Sequence, residues 1–251
     1  MIEALYFLVG LMASFLGSMA GLGGGFLAVP TLYYLGLPIS NAVATSKFMV
    51  FINSLTSTYR YSRRLKNPVK LYLAVVTPMT VTAYLGAYLA ATTPKKILAL
   101  IVGLVLLAGS TRMLLEKGEK RGEKKLVDER RVYVLGAFLG TISGIISGLT
   151  GLGGGVVNVP AFIYVLNLPV HNSASLSMAC ILPAAISSTI RHAIDRLIVW
   201  KAAIPISLGA VVGGWLGPKT ALKLSKEKLR KIIGAILFAA VLRMILQAIF
   251  E

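Results

Sequence analysis

The sequence predicts an all-α integral membrane protein of about ten apolar segments, built as two homologous, inverted five-segment repeats with helices broken at glycine clusters. Three observations carry this. The chain is hydrophobic and poor in charge, its second half repeats its first, and each half holds the same glycine-rich break inside an apolar region. Of 251 residues, 56% are hydrophobic and 14% charged. A soluble domain carries about 25% charged residues. The mean hydropathy is +0.79, and no polar stretch is long enough to hold a soluble domain.

A membrane helix needs roughly 20 apolar residues. The first half offers segments at 2–20, 24–37, 40–62, 69–92 and 95–115, and the second at 132–149, 154–168, 172–194, 199–221 and 228–250. Residues 2–20 lack a basic leader region and read as a membrane helix rather than a cleaved signal. Segments 24–37 and 154–168 are short. At 1.5 Å per residue they reach about 21–23 Å, less than the ~30 Å hydrocarbon core. They predict part-spanning helices that begin at the glycine breaks.

The duplication covers almost the whole chain. An offset of 130 matches Gly10 with Gly140, the two glycine clusters, Pro30 with Pro160, and Tyr34 with Tyr164. One inserted residue then makes the offset 131, matching Pro38 with Pro169, Asn41 with Asn172, Ser46 with Ser177, Arg60 with Arg191, and Gly86 with Gly217. Two long halves of this kind read as a transporter-like duplication. The domain reading is therefore a first membrane repeat at 1–115, a cytoplasmic linker at 116–131, and a second repeat at 132–251. The linker is mixed in charge and interrupted by glycine.

The net charge is +17, from 26 basic and 9 acidic residues. Basic residues cluster between apolar segments, as topology signals do, so nucleic acid is not an expected partner. Residues 60–70 and 219–231 are the strongest such clusters and predict cytoplasmic connections. That pattern requires an odd number of crossings per half and so favours inverted repeats; parallel repeats stay open if 24–37 and 154–168 are re-entrant. All nine acids lie at termini or in connections, which argues against a carboxylate cation site or relay at the bilayer centre. The single cysteine, Cys180, excludes an intrachain disulfide and a cysteine-rich metal site.

The glycine clusters are the leading candidate site. Gly21-Leu22-Gly23-Gly24-Gly25 runs to Val29-Pro30, and Gly151-Leu152-Gly153-Gly154-Gly155 runs to Val159-Pro160. Neither follows a strand or ends in Gly-Lys-Ser/Thr, so a nucleotide loop is excluded. A helix starting after such a break presents free N–H groups and a positive dipole end, which suits anions. Tight helix crossing is the competing use of the same glycines, and the two are compatible. Small residues also recur at helical spacing, at Gly10, Ser14 and Ser18, at Gly140, Gly144 and Gly148, and at Gly209, Gly213 and Gly217. Such stripes let membrane helices approach closely.

Lys47 is the sharpest single residue. It lies mid-segment, and its repeat counterpart is Met178, so the fold itself does not demand a cation there. A lysine at membrane depth costs roughly 2.5–3.5 kcal/mol on insertion scales. Its partner is expected to be an anionic substrate, backbone carbonyls or water; snorkelling to the interface is the alternative. The candidate substrate-binding set comprises Gly23, Gly24, Gly25, Thr45, Ser46, Lys47, Asn53, Gly153, Gly154, Gly155, Asn158 and Ser177. Their hydroxyls and amides suit an oxyanion, and interhelical contacts use the same groups. Arg60 and Arg191 are expected to anchor their helix ends. His171 and His192 make a weak metal case, and His192 is a candidate proton carrier.

The doubled motif, each copy a Gly-x-Gly-Gly-Gly break closed by an apolar residue and proline, resembles the sulfite exporter TauE/SafE family of membrane transporters. Ala42 to Lys47 resembles the helix start that follows in that family; the second copy, at Asn172 to Ser177, departs by carrying Met178 in place of the lysine. The resemblance implies transport of sulfite, sulfonates or related organosulfur or carboxylate anions. The expected function is thus a secondary anion transporter of the cell membrane, working by alternating access between the halves. It is not expected to be an enzyme or to hold a cofactor or metal. Its partners would be a small anion and the lipid bilayer, with a coupling proton or sodium ion and a homodimer left open. The alternative is a non-transporting membrane module: a channel, sensor or assembly subunit.

Overall fold

The computed structural model describes residues 2–94 and 129–225, together with Ile97, Lys228, Lys231, Ile232 and Ala235. Eight helices lie within the described residues: α1 (Ile2–Ala20), α2 (Gly25–Tyr34), α3 (Ile39–Ser62), α4 (Val69–Thr92), α5 (Glu129–Thr150), α6 (Gly155–Tyr164), α7 (Val170–Ile194) and α8 (Trp200–Ala221). No strand occurs among them. The expected segments at 95–115 and 228–250 and most of the 116–131 linker fall outside the described residues.

Four of these helices are long and apolar enough to cross a membrane: α1, α4, α5 over Tyr133–Thr150, and α7. Their outward faces carry large apolar side chains such as Leu8, Leu73, Phe138 and Ile190. A lipid-facing surface needs no polar cover, so this exposure is expected of membrane helices. The two short helices are shorter than the apolar pattern suggested, ten residues each, or about 15 Å. Glycine and asparagine end them early. Gly36 takes φ +92° and Asn167 φ +54°, the left-handed turn that closes a helix C-terminus. These two residues are repeat counterparts, 131 apart.

The small-residue stripes are packing seams. A Cβ on Gly10 would lie 2.9 Å from Ile206 Cα, and one on Gly140 would lie 3.1 Å from Val75 Cα. Val75 and Ile206 are repeat counterparts, so α1 meets α8 as α5 meets α4. Along the α1–α8 seam Gly209 meets Phe7, Gly213 meets Leu11, and Gly217 meets Phe15, so the two helices run in the same direction. Gly136, Gly140, Gly144 and Gly148 meet Leu71, Val75, Met79 and Ala83 in turn, so α4 and α5 also run together. Each seam joins one half to the other.

Two further cross-half contacts repeat the pattern. The Arg60 guanidinium lies 4.7 Å from the Trp215 ring centroid, and that of Arg191 lies 5.8 Å from Tyr84 and 5.0 Å from Tyr88. Trp215 and Tyr84 are again 131 residues apart. Arg191 is also held by Asp195 at 2.7 Å. Cation–π seating at a helix end fits the anchoring role expected for this matched pair.

Candidate functional site

The two glycine breaks meet at the centre of the described fold. At the first, Gly21, Gly23 and Gly24 have φ of +74°, +89° and +92°; at the second, Gly151, Gly153 and Gly154 have +71°, +99° and +77°. Gly24 and Gly154 are the N-caps of α2 and α6. A left-handed N-cap is costly for any residue with a Cβ, so glycine here is a backbone requirement. The breaks touch each other. A Cβ on Gly23 would lie 3.5 Å from Gly153 Cα, and one on Gly25 would lie 2.8 Å from Leu152 Cα. Gly25 also abuts the Gly151 carbonyl, and Gly155 the Gly21 carbonyl. Each half-helix therefore starts against a carbonyl of the opposite break, which partly compensates its positive end.

Side chains from the long helices fix those carbonyls. Ser177 Oγ donates to Gly21 O at 2.6 Å, and its counterpart Ser46 Oγ donates to Gly151 O at 3.5 Å. Asn53 Nδ2 donates to Gly23 O at 2.7 Å, and Ser143 Oγ to Gly154 O at 3.0 Å. Among the bonds of the described residues, the amides of Gly24, Gly25 and Phe26, and of Gly153 to Val156, donate to no backbone carbonyl. The breaks thus combine tight packing with free buried donors.

Lys47 is fully buried. Its Nζ donates to Ser147 O at 2.7 Å and also to Ser147 Oγ. Snorkelling is therefore not what it does; the amine points inward, to α5, four residues before the second break. No carboxylate pairs with it among the described residues. Two of its three protons are used, which leaves one donor over.

The other expected residues divide. Asn158 lies beside Met79, its Nδ2 3.6 Å from the thioether sulfur, and its Oδ1 has no partner among the described residues. Thr45 faces elsewhere: its Oγ1 accepts from Val199 N at 3.1 Å and so caps the start of α8. His171 lies 3.1 Å from the Ala221 carbonyl at the far end of α8. His192 is buried on α7. No group of three metal-ligating side chains occurs among the described residues.

Three contributors escaped sequence reasoning: Ser143, Ser147 and Met79. The signal was present in the duplication. Ser147 stands opposite Gly17, and Ser143 opposite Ala13. Lys47 opposite Met178 and Ser147 opposite Gly17 are one change in two places, because the lysine of one half bonds the serine of the other.

Apolar helices long enough to cross a bilayer, two half-helices broken at matched glycines, and a buried lysine between the halves define a multi-pass membrane protein of transporter build. The chain belongs to the sulfite exporter TauE/SafE family, whose model matches residues 6–244. It is 29% identical to a "probable membrane transporter protein" of Methanocaldococcus jannaschii over 93% of this chain and 91% of the relative. A protein of the same description from Xylella fastidiosa is 27% identical, over 94% of this chain and 92% of the relative. YunE of Bacillus subtilis, also described as a "probable membrane transporter protein", is 25% identical over 97% of both chains. The chain is a membrane transporter of this family, acting on a small substrate in a lipid bilayer.

Proposed function

We propose that the protein is a secondary transporter of small anions, with substrate held near the two breaks and Lys47 supplying the charge. The single observation that carries this reading is the burial of Lys47 beside neutral groups. An isolated ammonium in a low-dielectric interior is costly, and Met178 indicates that the fold manages without it. A lysine retained there, bonded to Ser147 one turn before the second break, suits an anion that comes and goes. The family's description points to sulfite, and sulfonates and related organosulfur or carboxylate anions share its oxyanion chemistry.

Alternating access by inverted halves is the mechanism we infer. The directions of α1, α4, α5 and α8 support it. So does α3 along α8, where Asn41 bonds Leu197, Thr45 bonds Val199 and Ser57 bonds Gly214. Along α7 and α4, Ser187 bonds Thr80 and Arg191 sits on Tyr84. Each long helix of one half thus packs on the other half in a symmetric way, the pseudo-twofold arrangement that alternating access in such folds builds on. The halves at 1–115 and 132–251 would be the moving bodies.

Transport by purified protein in liposomes tests the reading, with labelled sulfite and a panel of sulfonates. The wild type should move at least one of them, and Lys47→Met should lower the rate tenfold or more while remaining monodisperse. Full transport by that variant would remove Lys47 from the site.

A further inference from the structure

The last turns of α3 and α8 carry a ladder of alternating cations and rings. The Arg60 guanidinium lies 4.7 Å from the Trp215 centroid. The Trp215 and Tyr59 rings stack, with centroids 6.0 Å apart and planes 26° apart. The Arg63 guanidinium then lies 5.6 Å from the Tyr59 centroid. These are distances at which an aromatic face attracts a guanidinium. Neither guanidinium has an ion pair or hydrogen bond among the described residues. Each carries five N–H donors, and a ring face uses none of them. Arg64 and Lys219 are exposed cations beside the ladder. Arg64 follows Arg63 in the chain, and Lys219 stands one turn past Trp215 on the same face of α8.

The duplication shows that fastening the helices does not need this much charge. The second seat keeps the geometry, with Arg191 5.8 Å from Tyr84 and 5.0 Å from Tyr88. Across the offset of 131, Trp215 stands for Tyr84 and Lys219 for Tyr88, while Arg63 stands for Ile194 and Arg64 for Asp195. Asp195 neutralises Arg191 at 2.7 Å, so the second seat carries no net charge. The first sets Arg60, Arg63, Arg64 and Lys219 together with no acid among these positions. A topology signal needs only charge in a connection; it does not need that charge seated on rings at two helix ends.

We propose that the ladder of Arg60, Trp215, Tyr59 and Arg63, with Arg64 and Lys219 beside it, binds the phosphate headgroup of an anionic phospholipid. The site is independent of the solute carried. α3 has 24 residues and α8 has 22, about 36 Å and 33 Å. Both outreach the ~30 Å hydrocarbon core, which puts their last turns at headgroup level. Tyr59 is 55% exposed and Trp215 38%, amphipathic rings of the kind that settle at a membrane interface. Leu55 precedes Tyr59 by one turn, and Val211 and Leu208 precede Trp215 by one and two turns, all exposed. A ligand with phosphate at one end and hydrocarbon at the other meets both the cations and this apolar strip. A soluble phosphate meets only the cations. Guanidinium edges give phosphate oxygens paired, charge-assisted hydrogen bonds, and each further basic residue near the surface adds attraction for anionic lipid.

Quenching of Trp215 fluorescence by brominated lipid tests the proposal, with the full chain reconstituted in phosphatidylcholine vesicles. Trp200 and Trp215 are the two tryptophans, so Trp200→Phe leaves Trp215 as the reporter. Chain-brominated phosphatidylglycerol, added as a minor fraction, should associate at least about threefold more strongly than chain-brominated phosphatidylcholine. Arg63→Ile, Arg64→Asp and Lys219→Tyr together install the residues of the second seat and should bring that ratio to about one. Arg64→Asp alone changes an exposed residue beyond the end of α3, so it guards against misfolding of the triple variant; it should lower the ratio by about half or more. Moving the reporter to the second seat, with Trp215→Tyr and Tyr84→Trp in the Trp200→Phe chain, should also give a ratio of about one. Equal quenching by the two lipids at Trp215 would overturn the proposal. Equal preference for phosphatidylglycerol at both seats would overturn it too, as a general attraction of a basic chain for anionic lipid. Loss of the preference in millimolar inorganic phosphate, but not in sodium chloride of the same ionic strength, would make free phosphate the ligand and overturn the lipid assignment.

Discussion

Ser177 donates to the Gly21 carbonyl at 2.6 Å, whereas its repeat counterpart Ser46 reaches the Gly151 carbonyl only at 3.5 Å. The two contacts are symmetric in topology and unequal in strength. Each ties a long helix of one half to the break of the other. Ser177→Ala should therefore destabilise the protein by about 1–3 kcal/mol, the cost of leaving a buried acceptor unpaired. Ser46→Ala removes a bond at the limit of useful geometry and should cost under about 0.5 kcal/mol. Thermal unfolding of the two variants in one detergent checks the order. Equal losses would mean the breaks are held symmetrically.

Glycine substitutions separate conformational from steric demand. Gly36 has φ +92° with nothing within 4 Å of a modest side chain, whereas a Cβ on Gly25 would run into the Gly151 carbonyl and Leu152. Gly36→Ala should cost about 1–2 kcal/mol, the left-handed penalty alone. Gly25→Ala must push two backbones apart at the break and should cost about 3 kcal/mol or more. Folded yield by size-exclusion chromatography and melting temperature distinguish them.

Much of this architecture was legible in the sequence. Apolar length and the duplication together bound the eight described helices to within a few residues, because both signals repeat and each half checks the other. The breaks were legible because glycine in hydrocarbon has few uses. Hydrogen-bond direction was not legible. Thr45, two residues from Lys47, turns to cap α8, while Ser147, a hundred residues away, receives the lysine. A hydroxyl on a helix can face any neighbour, and only the packing of α3 between α7 and α8 decides which. The depth of Lys47 was equally hidden: seven residues into a segment suits either an inward or a snorkelling amine, and the partner on α5 settles it.

The Lys47–Ser147 contact predicts a specific pattern of stability. Ser147→Ala removes a hydroxyl from a buried amine and should cost about 1.5–3 kcal/mol, the range for hydrogen bonds to charged groups. Lys47→Met removes the buried cation itself and installs the residue used at Met178; it should be neutral or stabilising, as exchanging buried charge for apolar volume often is. The double variant should then lose less than the sum of the two single changes, a coupling that a double-mutant cycle reads directly. Additive losses would mean that Lys47 and Ser147 do not depend on each other.

The proposed inversion of the halves would fix which connections share a side of the membrane. α3 and α8 run together, so the residues that follow them should emerge on one face, and those that follow α7 on the other. The basic residues agree. Arg63, Arg64 and Lys66 follow α3, and Lys223, Lys226 and Lys228 follow α8, whereas Arg196 and Lys201 at the α7–α8 connection are fewer and offset by Asp195. Fewer charges on the translocated side is what the positive-inside rule requires. With an impermeant maleimide, a cysteine placed at Arg196 should label on intact cells, and cysteines at Lys66 and Ser225 only on inverted membrane vesicles. Cys180 is fully buried, so its replacement by alanine gives a clean background. Labelling of Lys66→Cys and Ser225→Cys from opposite sides would break the symmetry on which alternating access rests. The two arginine seats, Arg60 on Trp215 and Arg191 on Tyr84, would then lose their meaning as equivalent fastenings at opposite faces.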